Sequence, residues 1–328
     1  MRFIIIGGGS IGKRHLRNLL SLGESDIAVV EQNAERMSAI AAEFNIKTFS
    51  SMRQAFESET FECAFICSPS RFHQEQALYC ADHKCDLFIE KPLSHTMDGI
   101  FELKNVIEKN KLITMVGSNF KFYPSLQKIK SLLDAGAIGK ILSARLQFGQ
   151  YLPDWHPWED YRQGYSANER LGGGVLLDSH EFDYATWLLG DVSKVTCVAK
   201  KISDLEIDVE DVAAVILHLK SGALVELHLD YVQRFYSRCY EFFGETGTIM
   251  WDIKEKKVLL KTKEAGEQIF ELISEYDFNT MYIDELKHFL ACVEARSNTV
   301  SSVIVGARVL EIITAAKESS LKEKTIEV

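Results

Sequence analysis

A chain of 328 residues is longer than one hydrophobic core usually supports, so two domains are expected. Its 46% apolar and 26% charged residues argue against extended disorder, and a formal net charge of -10 removes the basic footprint of a nucleic-acid or anionic-membrane binder. No run approaches 18 apolar residues, the start MRFIIIGGG leads straight into a strand and glycine turn, and the seven cysteines lie scattered in apolar segments, so the expectation is a cytoplasmic protein with buried thiols, no disulfide framework and no structural metal.

The first part of the chain repeats one unit: a short apolar run, a turn, then a pattern of helical period. Residues 4–6, 27–30, 63–67, 87–89 and 113–116 read as strands, and segments near 11–22, 33–44, 71–82 and 96–109 as helices. Short, nearly unalternating apolar strands separated by helices predict a parallel sheet covered on both faces, a doubly wound Rossmann-type α/β domain over residues 1–118. Beyond Val116 the pattern changes. Pro124 opens a helix that stops near Gly136, and a strand follows at 141–148. The stretch YLPDWHPWEDYRQGYSANER holds two of the five prolines, three tyrosines and two of the four tryptophans, a composition suited to binding or to contact with a partner. Gly172 to Gly174 introduce a helix reaching about Leu189. Strands are then predicted at 192–200, 209–219, 223–231 and 236–243, and helices at 279–292, opening on Asn279 as a cap, and 302–320. Residues 119–328 are therefore expected to form an α+β substrate-binding and oligomerisation domain with a mostly antiparallel sheet, its closing helix able to pack back toward the first domain.

Gly7, Gly9 and Gly12, with Ser10 and Ile11 between them, give G-x-G-x-x-G directly after a strand and at the start of a helix. The three glycines serve a tight turn, close approach of backbone to a pyrophosphate, and close helix packing, while the helix N-terminus offers amide donors to phosphate. Glu31 ends the second strand, where a carboxylate accepts from an adenosine ribose and repels a 2'-phosphate; this favours NAD over NADP, although Lys13 and Arg14 soften the preference. The competing role for Glu31 is to cap the helix at 33–44. In FICSPSRFH, Cys67, Ser68 and Pro69 reach the ligand-binding edge, Pro69 toward the nicotinamide, and His73 begins the next helix either near the cofactor or as a surface or capping residue. Glu90, Lys91 and Pro92 end the fifth strand. The Lys91 ammonium can hydrogen-bond a substrate hydroxyl or give a proton to a carbonyl, against the plainer reading of a solvated lysine.

Four segments together, GGGSIGKRH, CSPSRFH, the EKP of 90–92 and GGGVLLDSHEFD at 172–183, resemble the Gfo/Idh/MocA oxidoreductase family, which includes glucose-fructose oxidoreductase and inositol 2-dehydrogenase. GSNFKFYP at 117–124 resembles its domain crossover and VLEIITAAKESS its closing helix, so the likeness covers essentially the whole chain. The resemblance implies NAD as cofactor, Lys91 near nicotinamide and substrate, a cis Lys91–Pro92 peptide, Glu90 helping to position the lysine, and Asp178 with His180 at the substrate. Relatives usually place three residues between that aspartate and histidine, whereas here only Ser179 intervenes; in one regular helix the two would point about 200° apart. Either Asp178 precedes the helix, or one of the pair alone meets the substrate. The spacing from His180 to Asp183 matches the family.

Asn119, after the sixth strand, is expected near nicotinamide or substrate. Tyr151, Trp155, His156, Trp158, Tyr161 and Arg162 offer a saccharide platform, or else interface packing. The expected reaction is reversible oxidation of a secondary hydroxyl of a sugar-like substrate (an inositol, aldose, amino sugar or nucleotide sugar), with Lys91, His180 or a relay between them taking the proton. Two alternatives stand beside it: reduction of a C=C or C=N bond, and a non-catalytic dinucleotide-sensing protein. Neither nucleic acid nor membrane is expected as a partner. From the resemblance, a homodimer or homotetramer through the C-terminal sheet is expected.

Overall fold

The computed structural model describes residues 1–328 apart from 156, 158, 179 and 272–275. The chain divides into two compact units, Met1–Asn119 with Phe278–Ala307, and Phe120–Asp277 with Arg308–Val328. Residues 278–307, read from sequence as part of the second domain, thus belong to the first unit.

The first unit runs β1 (Phe3–Ile6), α1 (Ser10–Ser21), β2 (Ile27–Val30), α2 (Ala34–Phe44), β3 (Lys47–Phe49), α3 (Met52–Ser58), β4 (Cys63–Ile66), α4 (His73–Asp82), β5 (Asp86–Ile89), α5 (Ile100–Asn110) and β6 (Thr114–Val116). Six parallel strands pair in the order β3-β2-β1-β4-β5-β6. Every residue of β1, β2, β4, β5 and β6 is buried, because helices cover both faces and leave no solvent side to favour polar alternation. β3 and α3 are additions to the predicted set. The strand is three residues at the sheet edge, with Lys47 exposed, and so carries no apolar run. Side chains begin the neighbouring helices: Asn33 Oδ1 accepts from Arg36 N at 2.8 Å, and Ser51 Oγ from Gln54 N at 3.2 Å. The strand order reverses direction between β1 and β4, which sets the ligand crevice of such sheets at their carboxyl ends.

In the second unit α6 (Pro124–Asp134) leads to β7 (Ile141–Gly149), then a segment of short 3-10 turns, α7 (Val175–Asp178) and α8 (Glu181–Leu189). The strands β8 (Val192–Lys200), β9 (Val212–Leu219), β10 (Leu224–Asp230), β11 (Ser237–Gly244), β12 (Gly247–Asp252), β13 (Lys257–Thr262) and β14 (Gly266–Glu271) follow. With β15 (Ile326–Glu327) they form a nine-stranded sheet, β14-β13-β12-β11-β7-β10-β9-β8-β15. Within this sheet, among the described residues, only β7 and β10 pair in parallel. Strict alternation marks a sheet covered on one side: Val225, Leu227 and Leu229 of β10 are buried, while Leu224, Glu226 and His228 are exposed. On the buried side Leu146, Phe148, Leu217, Tyr240 and Phe242 share the core with Phe182 of α8. β12 to β14 extend the sheet beyond the predicted strands, as short hairpins whose last member is nearly all exposed.

The chain returns to the first unit with α9 (Asn279–Ala295), and α10 (Val303–Lys322) begins there and continues into the second. Asn279 is not the cap expected of it: Phe278 precedes the helix, and the Asn279 amide instead exchanges hydrogen bonds with Asn18 of α1, at 2.8 and 3.2 Å. Arg296, past the end of α9, pairs with Asp86 at 2.5 Å.

Candidate active site

The glycine turn of the first unit divides its labour unequally. Gly7 has φ +102°, and a β-carbon there would lie 2.8 Å from the Cys67 carbonyl carbon. At Gly12 a β-carbon would meet the Gly7 carbonyl oxygen at 1.9 Å. Both positions are closed by the protein itself. A β-carbon on Gly9 would meet nothing within 4 Å, and Gly9 caps α1 without any side-chain hydrogen bond, so open space lies before the helix amides at Ser10 and Ile11. That gap fits the pyrophosphate of a dinucleotide. Glu31, at the carboxyl end of β2, is buried; its Oε2 accepts from Gly8 N at 3.0 Å and its Oε1 from Asn33 N at 2.9 Å, with Arg36 Nη1 3.3 Å from Oε2. A carboxylate has about four acceptor sites, so one remains for a ribose hydroxyl. The capping of α2 falls to Asn33.

Along the same edge, β4 ends at Cys67, Ser68 and Pro69, and β5 at Glu90, Lys91 and Pro92. Burial pushes the Cys67 thiol well up, which makes it an inert packing residue. Ser68 Oγ donates to Gln76 Oε1 at 2.6 Å. His73 is buried, its Nε2 2.7 Å from the Ser68 carbonyl and its Nδ1 2.8 Å from the Pro92 carbonyl, so the ring spans the two loops. Burial pushes its pKa down and outweighs both carbonyls and the Glu90 charge, so the ring is neutral and donates to one carbonyl at a time. The Lys91–Pro92 peptide is cis. Lys91 is half-buried, and its backbone N–H donates to Glu90 Oε2 at 3.3 Å. Burial acts to raise the Glu90 carboxyl, but the hydrogen bond and charge of His15, with Lys91 beside it, hold it below its ordinary value. Asn119 is buried at the start of the 3-10 turn Asn119–Phe122.

In the second unit Asp178 ends α7 and His180 stands just before α8, so the two do not share one regular helix. Asp178 is 2% exposed; its carboxylate accepts from Tyr165 Oη, from Ser166 Oγ at 2.7 Å and from Tyr231 Oη at 3.2 Å. His180 is partly exposed and its ring lies parallel to that of Tyr184, with centroids 5.4 Å apart. One turn on, Asp183 accepts from Lys121 Nζ at 2.7 Å. Trp155 packs edge-on against Tyr231 and Phe148, and its Nε1 donates to the Gln150 carbonyl at 3.3 Å, which connects the aromatic segment to the Asp178 cluster. Tyr151 stacks under Arg234, at 3.8 Å. Tyr161 Oη instead accepts from Glu206 N at 3.2 Å, and Arg162 is engaged by Asp160 and Glu206, so these two tie down a surface turn. His156 and Trp158 lie outside the described residues.

Several polar residues of these clusters carried no sign in the sequence. Tyr165, Ser166 and Tyr231 converge on Asp178 from up to 53 positions away, and the buried Arg238 faces Glu181 at 2.8 Å between the rings of Phe120 and Phe148. His15 stood inside a recognised motif with no role attached to it.

A family model described as an oxidoreductase family with an NAD-binding Rossmann fold matches residues 1–118, and a GFO/IDH/MocA C-terminal domain matches residues 126–250. The chain is 28% identical to a myo-inositol 2-dehydrogenase of Thermotoga maritima, covering 100% of this chain and 98% of that one. It is 23% identical to a scyllo-inositol 2-dehydrogenase (NAD(+)) of Bacillus subtilis, covering 97% and 94%. Its fold is similar to that of a levoglucosan dehydrogenase solved in complex with NADH, with TM-score 0.90, 21% identity, and coverage of 100% and 99%.

Proposed function

The chain belongs to the Gfo/Idh/MocA oxidoreductase family, and on that premise we propose that it is an NAD-dependent dehydrogenase that reversibly oxidises a secondary hydroxyl of a sugar-like substrate, with cyclic polyols of the inositol type first among them. One observation carries the reading: a glycine turn closed at Gly7 and Gly12 but open at Gly9, on the same sheet edge as Glu31 and Lys91. NAD, when bound, supplies the hydride acceptor. The chain's own residues do the rest. Gly9 and the first turn of α1 bind the pyrophosphate, and Glu31 accepts from the ribose. Lys91 takes the proton of the reacting hydroxyl and returns it in the reverse direction.

For the second unit we propose that His180 contacts the substrate, and that Asp178, which accepts from three hydroxyls, holds Tyr165, Ser166 and Tyr231 in place around it. Tyr151 and Trp155 supply aromatic faces for ring C–H groups. The C=C or C=N reductase and sensor readings find no support in the relatives above, whose names are those of dehydrogenases. Among the described residues no helix is long and apolar enough to cross a membrane. We further propose a cytoplasmic enzyme, in keeping with seven unpaired cysteines, that assembles as a homodimer or homotetramer through the open face of the nine-stranded sheet, where Leu224 and Val198 are exposed.

The test is NADH absorbance on anaerobic incubation of the protein with NAD, and separately with NADP, across inositols, aldoses, amino sugars and nucleotide sugars. Turnover of one class with NAD is expected. Failure to bind NAD or NADH at all overturns the reading.

A further inference from the structure

His15 lies on α1, three residues past the last glycine of the turn, and is 0% exposed. Its Nε2 is 2.6 Å from Glu90 Oε1. The carboxylate only accepts, so Nε2 carries the proton, and Nδ1 is buried with no hydrogen-bond partner. The ring is wedged against Phe88, Phe65 and Tyr282, with centroids 4.9, 5.7 and 6.4 Å away. A histidine in this setting is costly as core filler, since a leucine would fill the space and leave no orphaned nitrogen. Its one satisfied polar atom is spent entirely on Glu90. The far side of Glu90 is equally confined: a β-carbon on Gly117 would sit 3.2 Å from Oε2. Glu90 in turn precedes Lys91 and accepts from its backbone N–H.

We infer that His15 is a positioning residue for Lys91, acting through Glu90: by donating to the carboxylate it keeps Glu90 ionised and in place, and so fixes the lysine and its charge balance. The inference rests on the reading of Lys91 as the group that exchanges the substrate proton. It also ties the phosphate-binding helix to the reacting edge, because His15 is borne on α1. The titratable groups facing this pair are Lys91 and His73 across Glu90, and Tyr282 with Arg14 and Glu285 from α1 and α9. Without His15, burial is opposed chiefly by the Lys91 charge, and the Glu90 carboxyl takes up a proton at higher pH.

The experiment compares His15→Leu with His15→Gln, whose amide nitrogen donates at the same reach as Nε2. Two quantities are read: kcat and KM against pH with the best polyol, and acetylation of Lys91 against pH, followed by peptide mass spectrometry without substrate. For His15→Leu we expect kcat to fall about tenfold to a hundredfold while KM changes little. We also expect Lys91 to label at a pH about one unit lower, since a neutral Glu90 no longer opposes loss of the ammonium proton. His15→Gln restores both. The inference is overturned if the two variants label Lys91 like the wild type, or if His15→Gln fails as His15→Leu does. Should the wild type bind no NAD or NADH and oxidise none of the sugar-like substrates, the dehydrogenase reading falls, and the labelling comparison still decides the role of His15.

Discussion

A β-carbon on Gly12 would lie 1.9 Å from the carbonyl oxygen of Gly7, far inside any contact distance. Gly12→Ala must therefore shift α1 away from the end of β1, at a cost of about 1–3 kcal/mol. Gly9→Ala meets open space and leaves the fold intact, yet it fills the room proposed for the pyrophosphate. We expect Gly12→Ala to lower the thermal midpoint by several degrees, and Gly9→Ala to keep it while weakening NADH binding roughly tenfold, about 1.4 kcal/mol. Scanning fluorimetry and NADH fluorescence titration separate the two.

Lys91→Ala should leave the NADH dissociation constant within about twofold and reduce kcat by about 10²–10⁴, the range for loss of a general acid–base. Stopped-flow measurement of the hydride step provides the check. An equal loss of NADH affinity would show that the lysine serves the cofactor instead.

Asp178 satisfies three hydroxyls at once in a buried setting. Asp178→Ala strands those donors, each worth about 1–3 kcal/mol when left buried and unpaired, so a fall in the urea midpoint is expected. Asp178→Asn keeps one acceptor oxygen and should cost less.

His73 gives a pH signature. Burial pushes the folded ring's pKa below that of the unfolded chain, so the unfolded state binds more protons as pH falls. The stability this ring confers is complete above about pH 6.5, the ordinary imidazole value, and is lost as pH falls through the folded pKa. His73→Gln should be less stable than wild type at neutral pH and lose stability less steeply on acidification, as read by urea unfolding along a pH series. The slope is reduced without vanishing, because burial also pushes His288 down.

Leu224→Glu, on the open face of the nine-stranded sheet, should shift light-scattering mass toward the monomer with NADH binding intact.

The parallel sheet was readable in the sequence because its strands are buried on both faces and appear as unbroken apolar runs. β3 was hidden by being three residues long with a lysine at its start, and α3 by being only seven residues long. The places of the glycine turn, Glu31 and Lys91 at strand ends were readable because those strands end where their apolar runs stop. What escaped detection depends on contacts between distant positions. His15 and Glu90 are 75 residues apart, and the donors to Asp178 come from a loop and from just past a strand end. Periodicity carries no trace of such pairings. Asn279 had the sequence signature of a cap, but a tertiary partner, Asn18, took its side chain.

The nucleotide-binding unit is assembled from two separate stretches of chain, with Asn279, Glu285 and Arg296 bonding to Asn18, Ser118 and Asp86. A ribosome delivers Met1–Asn119 well before Phe278–Ala307, with Phe120–Asp277 made between them. The amino-terminal half must therefore wait, with the groove that receives α9 uncovered, while the intervening unit emerges and folds. Domains made of one continuous stretch avoid that interval. Any recombination that exchanges cofactor units between relatives must likewise cut the gene in more than one place, which favours diversification by point substitution within the second unit over shuffling of the first.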